Sequence, residues 1–249
     1  MISRLALALL LGMTLPFGMT AHALTLESPA EQVKLVELYT SHGCSSCPPA
    51  DRWLGKLESH PGLWQQLIPM AFHVDYWDYL GWQDRFASPA FSQRQREYRK
   101  SGALRSVYTP GFVVNGKEWR GWFRHPKLDL GTAKKVGRLT LDVQSGVGVK
   151  ARFSPQVGVD EQRLEANLAI LGFDLQSEIG AGENRGRTLS EHFVVLSHSR
   201  SKAQNQTGEW SLPWPDFDPS GSKRLAIVLW LSHPESGEPV QAVGGWLPG

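Results

Sequence analysis

Cys44 and Cys47 are the only two cysteines in the 249-residue chain, and they sit together as Cys44-Ser45-Ser46-Cys47. A thiolate is both a nucleophile and a soft metal ligand, so the pair suits disulfide exchange, metal binding or a passive disulfide. A disulfide closing so short a loop removes little entropy from the unfolded chain and is a poor staple. A structural zinc site needs four ligands, and no second cysteine pair exists to supply them. Thiol–disulfide chemistry is therefore the leading expectation, with metal binding and a passive link as the alternatives.

An exchange centre needs a scaffold that presents one sulfur and shields the other. Residues 33–40 alternate as a strand buried on much of both faces, and Ser41-His42-Gly43 breaks the run. Pro48 and Pro49 fit only the first turn of a helix, and Trp53, Leu54 and Leu57 follow at helical spacing before His60-Pro61-Gly62. This order places Cys44 at a helix N-terminus, where free amides and the helix dipole favour thiolate and lower its pKa from roughly 8.5. Cys47, one turn in, is the shielded resolving thiol. A second strand is expected at 67–74 and a helix through Phe91, Gln95 and Tyr98, stopping at Gly102. Tyr108-Thr109-Pro110-Gly111 reads as a bend, followed by a short strand at 112–114 and an Asn115-Gly116 hairpin turn. Pro110 is read either as a cis proline, whose neighbouring backbone pairs with an extended substrate, or as an ordinary trans turn.

From 139 onward the pattern changes. Short alternating runs at 139–143, 147–153, 164–171, 193–197, 225–231 and 240–244 are separated by Gly, Ser, Pro and Asp, which predicts an all-β second domain built as a sandwich. Residues 180–186 and 199–208 read as polar, mobile loops. At the other end, Arg4, the apolar run 5–11 and Ala21-His22-Ala23 have the form of an export signal, too short to span a bilayer. The expected organisation is thus a signal peptide at 1–23, a first domain at 24–136 and a β-rich accessory domain at 137–249. The mature protein is expected to be periplasmic, with no stable membrane insertion. Arg4 is the one charged residue of the signal, so the formal net charge falls from +2 to +1 on its removal. Such a balance offers no basic field for nucleic acid.

Glu37-Leu38-Tyr39-Thr40 before the cysteines, and Val107-Tyr108-Thr109-Pro110 before Val113-Val114-Asn115-Gly116, resemble the thioredoxin superfamily. More narrowly, the stretches from Cys44 to Asp51 and from His73 to Trp82 resemble an uncharacterised secreted bacterial family described as thioredoxin-like, with a β-rich C-terminal region. The resemblance implies an α/β thioredoxin-like N-terminal domain followed by the all-β domain. It further implies Cys44 as attacking cysteine, Cys47 as resolving cysteine, Pro110 as the cis-proline with Thr109 before it, and Glu37 as a buried proton acceptor. Gly43 and the Ser45-Ser46 dipeptide depart from the superfamily's usual residues, so potential and partner choice do not carry over.

The function this supports is an exported thiol–disulfide oxidoreductase. It needs no bound cofactor, only a protein or small-molecule thiol or disulfide as substrate and a redox partner to reset it. A second reading is a Cu(I)-binding module, in which His42 or His73 joins the two thiolates. A third is a non-catalytic interaction protein. Tyr76, Trp77, Tyr79 and Trp82 form either a substrate groove or core aromatics, and Glu183-Asn184-Arg185-Gly186 and His192 form no catalytic arrangement.

Overall fold

The computed structural model describes residues 23–124, 127–158, 163–202, 208–219 and 221–248. The export-signal reading at 1–23 therefore lies outside the described residues, Ala23 apart.

The N-terminal half contributes β1 (Ala23–Glu27), β2 (Lys34–Thr40), helix α1 (Pro48–Gly55), β3 (Leu67–His73), helix α2 (Pro89–Lys100), β4 (Gly111–Val114) and β5 (Lys117–Glu118). α2 starts where Ser88 caps the Ala90 amide and Pro89 opens the first turn. β2 and β3 run parallel with α1 between them in sequence, and β4 adds antiparallel to β2. The chain continues through β6 (Gly137–Gln144), β7 (Gly148–Pro155), β8 (Glu165–Phe173), the hairpin β9 (Leu175–Glu178) and β10 (Thr188–Glu191), then β11 (Val194–Lys202), β12 (Glu209–Pro213), β13 (Arg224–Ser232) and β14 (Pro239–Trp246).

The expected pairing of an α/β thioredoxin-like domain with a separate β-sandwich is not what forms. Strands make up 43% of the described residues and helix 15%. Strands of both halves share one eight-stranded mixed sheet in the order β14-β13-β8-β11-β3-β2-β4-β5, and β1, β6, β7 and β12 form a four-stranded sheet. The reason lies in which strands are apolar on both faces. β6 and β7 alternate buried and exposed residues, as half-solvated strands do. β8 is buried along nearly its whole length and so needs cover on both sides. Leu168 and Ile170 meet Leu139 and Leu141 of the four-stranded sheet in one core. Ala169 and Leu171 belong to the other core, with Leu38, Phe72 and Trp230. The seam between the halves is the parallel contact of β11 with β3, Val194 opposite Ala71. Buried Gln241 reinforces it by accepting the Val33 amide at 2.9 Å and donating to the Gly137 carbonyl at 2.8 Å.

Other expectations shift locally. Residues 199–202, read as loop, continue β11, while 203–207 lie outside the described residues. No helix among the described residues is long and apolar enough to cross a membrane.

Candidate functional site

β2 ends at Thr40, and Ser41, His42 and Gly43 carry the chain into the cysteine loop. The Cys44 amide donates to the Ser41 carbonyl at 3.2 Å, and Cys47 in turn donates to the Cys44 carbonyl at 3.2 Å. Cys44 and Cys47 are joined as a disulfide with their Cα atoms 5.5 Å apart. Both are buried (1% and 0% exposed) although Ser45 and Ser46 between them are exposed. α1 begins directly after Cys47, because Pro48 and Pro49 need no amide partner and fit its first turn. This alters one expectation. Those prolines offer no N–H to a sulfur, and the next two amides, of Ala50 and Asp51, are spent on the Cys47 carbonyl at 2.8 and 3.1 Å. What remains near Cys44 is the helix dipole and the Ser46 hydroxyl, 3.4 Å from its sulfur.

Gly43 has a packing explanation. A Cβ there would lie 2.9 Å from the Trp77 Cβ and 3.2 Å from its carbonyl oxygen. Gly43→Ala is accordingly expected to destabilise the protein by about 1–3 kcal/mol, as overpacking does. Thermal denaturation against the wild type measures it, with an unchanged midpoint contradicting the contact. Trp77 also donates its indole N–H to Thr109 Oγ1 at 2.7 Å, which ties the Thr109–Pro110 bend to the cysteine loop. The Thr109–Pro110 bond is cis.

Glu37 is placed elsewhere. Successive strand residues point to opposite faces. Leu38 is the register partner of Phe112, on which Trp53 of α1 packs at 5.2 Å between ring centroids. Glu37 therefore lies on the face opposite α1, against α2. There it accepts two hydrogen bonds from Arg94 at 2.8 and 3.0 Å and others from Tyr98 at 2.7 Å and Tyr39 at 3.1 Å. A carboxylate locked in this ion pair on the far side of the sheet does not serve the cysteines, which corrects the proton-acceptor role given to it above.

The carboxyl on the cysteine side is Asp51, one helical turn after Cys47 on the same side of α1. Burial pushes its carboxyl up from 3.8 to about 7, against the opposing charge of His73. Its Oδ1, the Thr40 hydroxyl and His73 Nε2 are buried with no hydrogen-bond partner among the described residues. A cavity of about 130 Å³ lies against Asp51, lined also by Pro48, Arg52 and Glu191. Of the three, Asp51 borders the cavity, and an unpaired carboxyl beside such a space suits ordered water.

Behind Asp51 runs a buried chain of ionisable groups. His73 Nδ1 is 2.7 Å from Asp84 Oδ2, and Asp84 accepts the His42 amide at 2.9 Å and the Phe86 amide at 3.0 Å. Burial alone would lower His73, but the Asp84 charge outweighs it and holds His73 at about 9. Burial likewise works to raise Asp84, yet the charge and hydrogen bond of His73 hold it well below the usual carboxylate range. His42 Nε2 meets Glu191 at the end of β10, and Trp82 donates its indole N–H to His42 Nδ1 at 3.3 Å. His42 Nδ1 also lies 3.2 Å from Asp84 Oδ1, so the ring sits between the carboxyl groups of Asp84 and Glu191. His42, His73 and Asp84 bring donor atoms within 4.8 Å of one another and are the residues here suited to a metal ion. In this arrangement both Nδ1 atoms are turned toward Asp84 rather than free.

The segment read as a mobile polar loop at 180–186 is part of the site. It joins β9 to β10 and straps the cysteine loop. Glu183 Oε2 accepts the Ser45 amide at 2.9 Å, and buried Asn184 donates to the carbonyls of His42 and Cys44 at 2.8 and 2.9 Å. Arg187 fixes the amide orientation by donating to Asn184 Oδ1 at 2.9 Å. Of the residues to which the sequence reading gave no role in the site, Asp51 had a signal, its spacing of four from Cys47. Asp84, Asn184 and Glu191 had none, because long-range packing alone brings them here.

Residues 35–231 match the model of a family described as "Protein of unknown function (DUF1223)". No curated protein matches the chain. A crystal structure of a protein from Agrobacterium tumefaciens is similar at 24% identity and a TM-score of 0.55, covering 88% of this chain and 96% of that one. HBP35 of Porphyromonas gingivalis is similar at 15% identity and a TM-score of 0.55, over 87% of this chain and 76% of that one. At these identities the two likenesses speak to the fold alone.

Proposed function

The chain belongs to the DUF1223 family, and on that premise we propose that it is a thiol–disulfide exchange protein acting through Cys44 and Cys47. The observation that carries the reading is Asp51, a half-buried residue whose carboxyl Oδ1 is buried and unpaired, one turn from a buried cysteine pair that is too closely spaced to work as a staple. In the direction that oxidises the protein and reduces the substrate, the Cys44 thiolate attacks one sulfur of a substrate disulfide. A mixed disulfide forms on Cys44 and the other substrate sulfur leaves as thiolate. Cys47 then gives its proton to Asp51 and attacks the Cys44 sulfur, which releases the second substrate thiolate and closes Cys44–Cys47. The two departing thiolates take up protons, one of them returned by Asp51 through the cavity that borders it. Two electrons pass from protein to substrate, and the reverse sequence runs through the same groups. Trp77, against both Gly43 and Thr109, braces the substrate side of the loop. The export signal expected from the sequence at 1–23 supports an extracytoplasmic setting for this chemistry.

Trapping tests the reading. Reduced Cys47→Ser protein mixed with oxidised glutathione should accumulate a stable glutathione adduct on Cys44, detected by intact mass. The wild type should show only transient adduct and end oxidised. Absence of any adduct on folded Cys47→Ser protein would refute exchange at Cys44.

A further inference from the structure

Resting on the exchange reading, we infer that the main chain of the cysteine loop is a docking edge for an extended polypeptide substrate, and that the 180–187 strap closes this edge by imitating one. Three main-chain groups flank the disulfide: the Ser45 N–H and the carbonyls of Cys44 and His42. All three are occupied by strap side chains whose chemistry is that of a peptide backbone. The Asn184 carboxamide supplies an amide N–H to both carbonyls, and the Glu183 carboxylate accepts from the Ser45 amide as a backbone carbonyl would. An extended chain laid along the loop offers the same donor and acceptor in the same order, which is how strand-like substrates are held. A small disulfide without a peptide backbone does not.

The strap is built to lift as a unit. Its main-chain hydrogen bonds stay within the hairpin: Arg185 to Gly182, Gly186 to Ile179 and Arg187 to Asn184. Gly182 and Gly186 hold positive φ (75° and 78°) on either side of Glu183 and Asn184, and a Cβ on Gly186 would meet nothing within 4 Å. The tethers to the cysteine loop described above are side-chain hydrogen bonds, while the hairpin base stays anchored where Glu191 meets His42 and accepts from Ser177 at 3.1 Å. Cys44 beneath the strap is only 1% exposed, so a thiolate reaches its sulfur after the strap moves. The device thus couples entry of a peptide to exposure of the attacking sulfur.

The test compares oxidised wild type with Asn184→Asp, which keeps size and the Arg187 contact but cannot donate to the two carbonyls. Glu183→Ala, at an exposed residue, covers the case in which the buried substitution fails to fold. Reduction of Cys44–Cys47 by dithiothreitol, followed by alkylation and mass analysis, should be roughly tenfold faster in either variant, the scale of losing one or two net hydrogen bonds. In the wild type, a flexible peptide bearing one cysteine should reduce the disulfide, two peptide thiols being oxidised per bond, faster than 2-mercaptoethanol at equal thiolate concentration. Unchanged dithiothreitol rates in folded variants would overturn the strap, and no preference for the peptide would overturn the docking edge. If trapping on Cys47→Ser also fails, the exchange reading falls and takes this inference with it. If trapping succeeds while the variants behave as wild type, only the inference falls.

Discussion

Asp51→Asn should slow disulfide exchange about a hundredfold at pH 7 and remove the pH dependence centred near that value. Cys47 has no exposed surface, so its proton cannot pass directly to bulk water when it attacks Cys44. The nearest carboxyl along the helix is Asp51, held by burial at about 7. An acceptor whose pKa matches the working pH is half ionised and still basic enough to take the proton, and such groups contribute roughly 10²–10⁴-fold. Asparagine keeps the shape and loses the function. Stability gives a second readout with a definite sign. Because the folded pKa of Asp51 is raised, its contribution is complete below about 4 and is lost as pH rises through about 7. His73, raised from 6.5 to about 9, acts in the same sense, with its contribution lost as pH rises through about 9. The thermal midpoint of the oxidised wild type should therefore fall between pH 4 and 7. Asp51→Asn should not share that fall but should keep the decline toward pH 9. Exchange rates and pH profiles matching wild type would remove Asp51 from the mechanism.

Arg94→Met should cost about 3–5 kcal/mol of stability and leave the exchange rate per folded molecule unchanged. It strips buried Glu37 of its cation, and removing one partner of a buried pair leaves the other uncompensated. The guanidinium also lies over the rings of Phe72, Tyr98 and Trp230, so that packing is lost with it. A Glu37→Leu/Arg94→Met double variant should recover much of the loss, since an apolar pair of similar volume carries no unpaid charge. Urea unfolding measures both. A fall in exchange rate that tracks Glu37 while Asp51→Asn is silent would reverse the roles assigned to the two carboxyls.

The contrast between those residues shows how far the sequence could be read. The cysteine pair, the strand before it, the proline-started helix after it and strands β6, β7, β8, β11, β13 and β14 are local patterns that lie near where periodicity and turn residues put them, whereas β9, β10 and β12 matched no predicted run. Glu37 misled because closeness along the strand was taken for closeness in space. Strand alternation sends its side chain to the other face, and a guanidinium 57 residues away claims it. The fold class misled for a related reason. β8 and β13 are apolar on both faces, which satisfies a sandwich only until one asks what covers the second face. Here it is the core over β2 and β3, so both halves share a sheet. Asn184 was illegible for a third reason. Its partners, the carbonyls of His42 and Cys44, are 142 and 140 residues away and are backbone atoms, which leave no trace in residue types.

The most direct test of the central claim is the reduction potential of Cys44–Cys47, from equilibration with glutathione buffers, alkylation and mass analysis. Exchange chemistry predicts a value between roughly −100 and −280 mV, where known exchange proteins lie. A value below about −300 mV would mean a bond that the glutathione pool leaves intact, and would contradict the account in favour of a structural link.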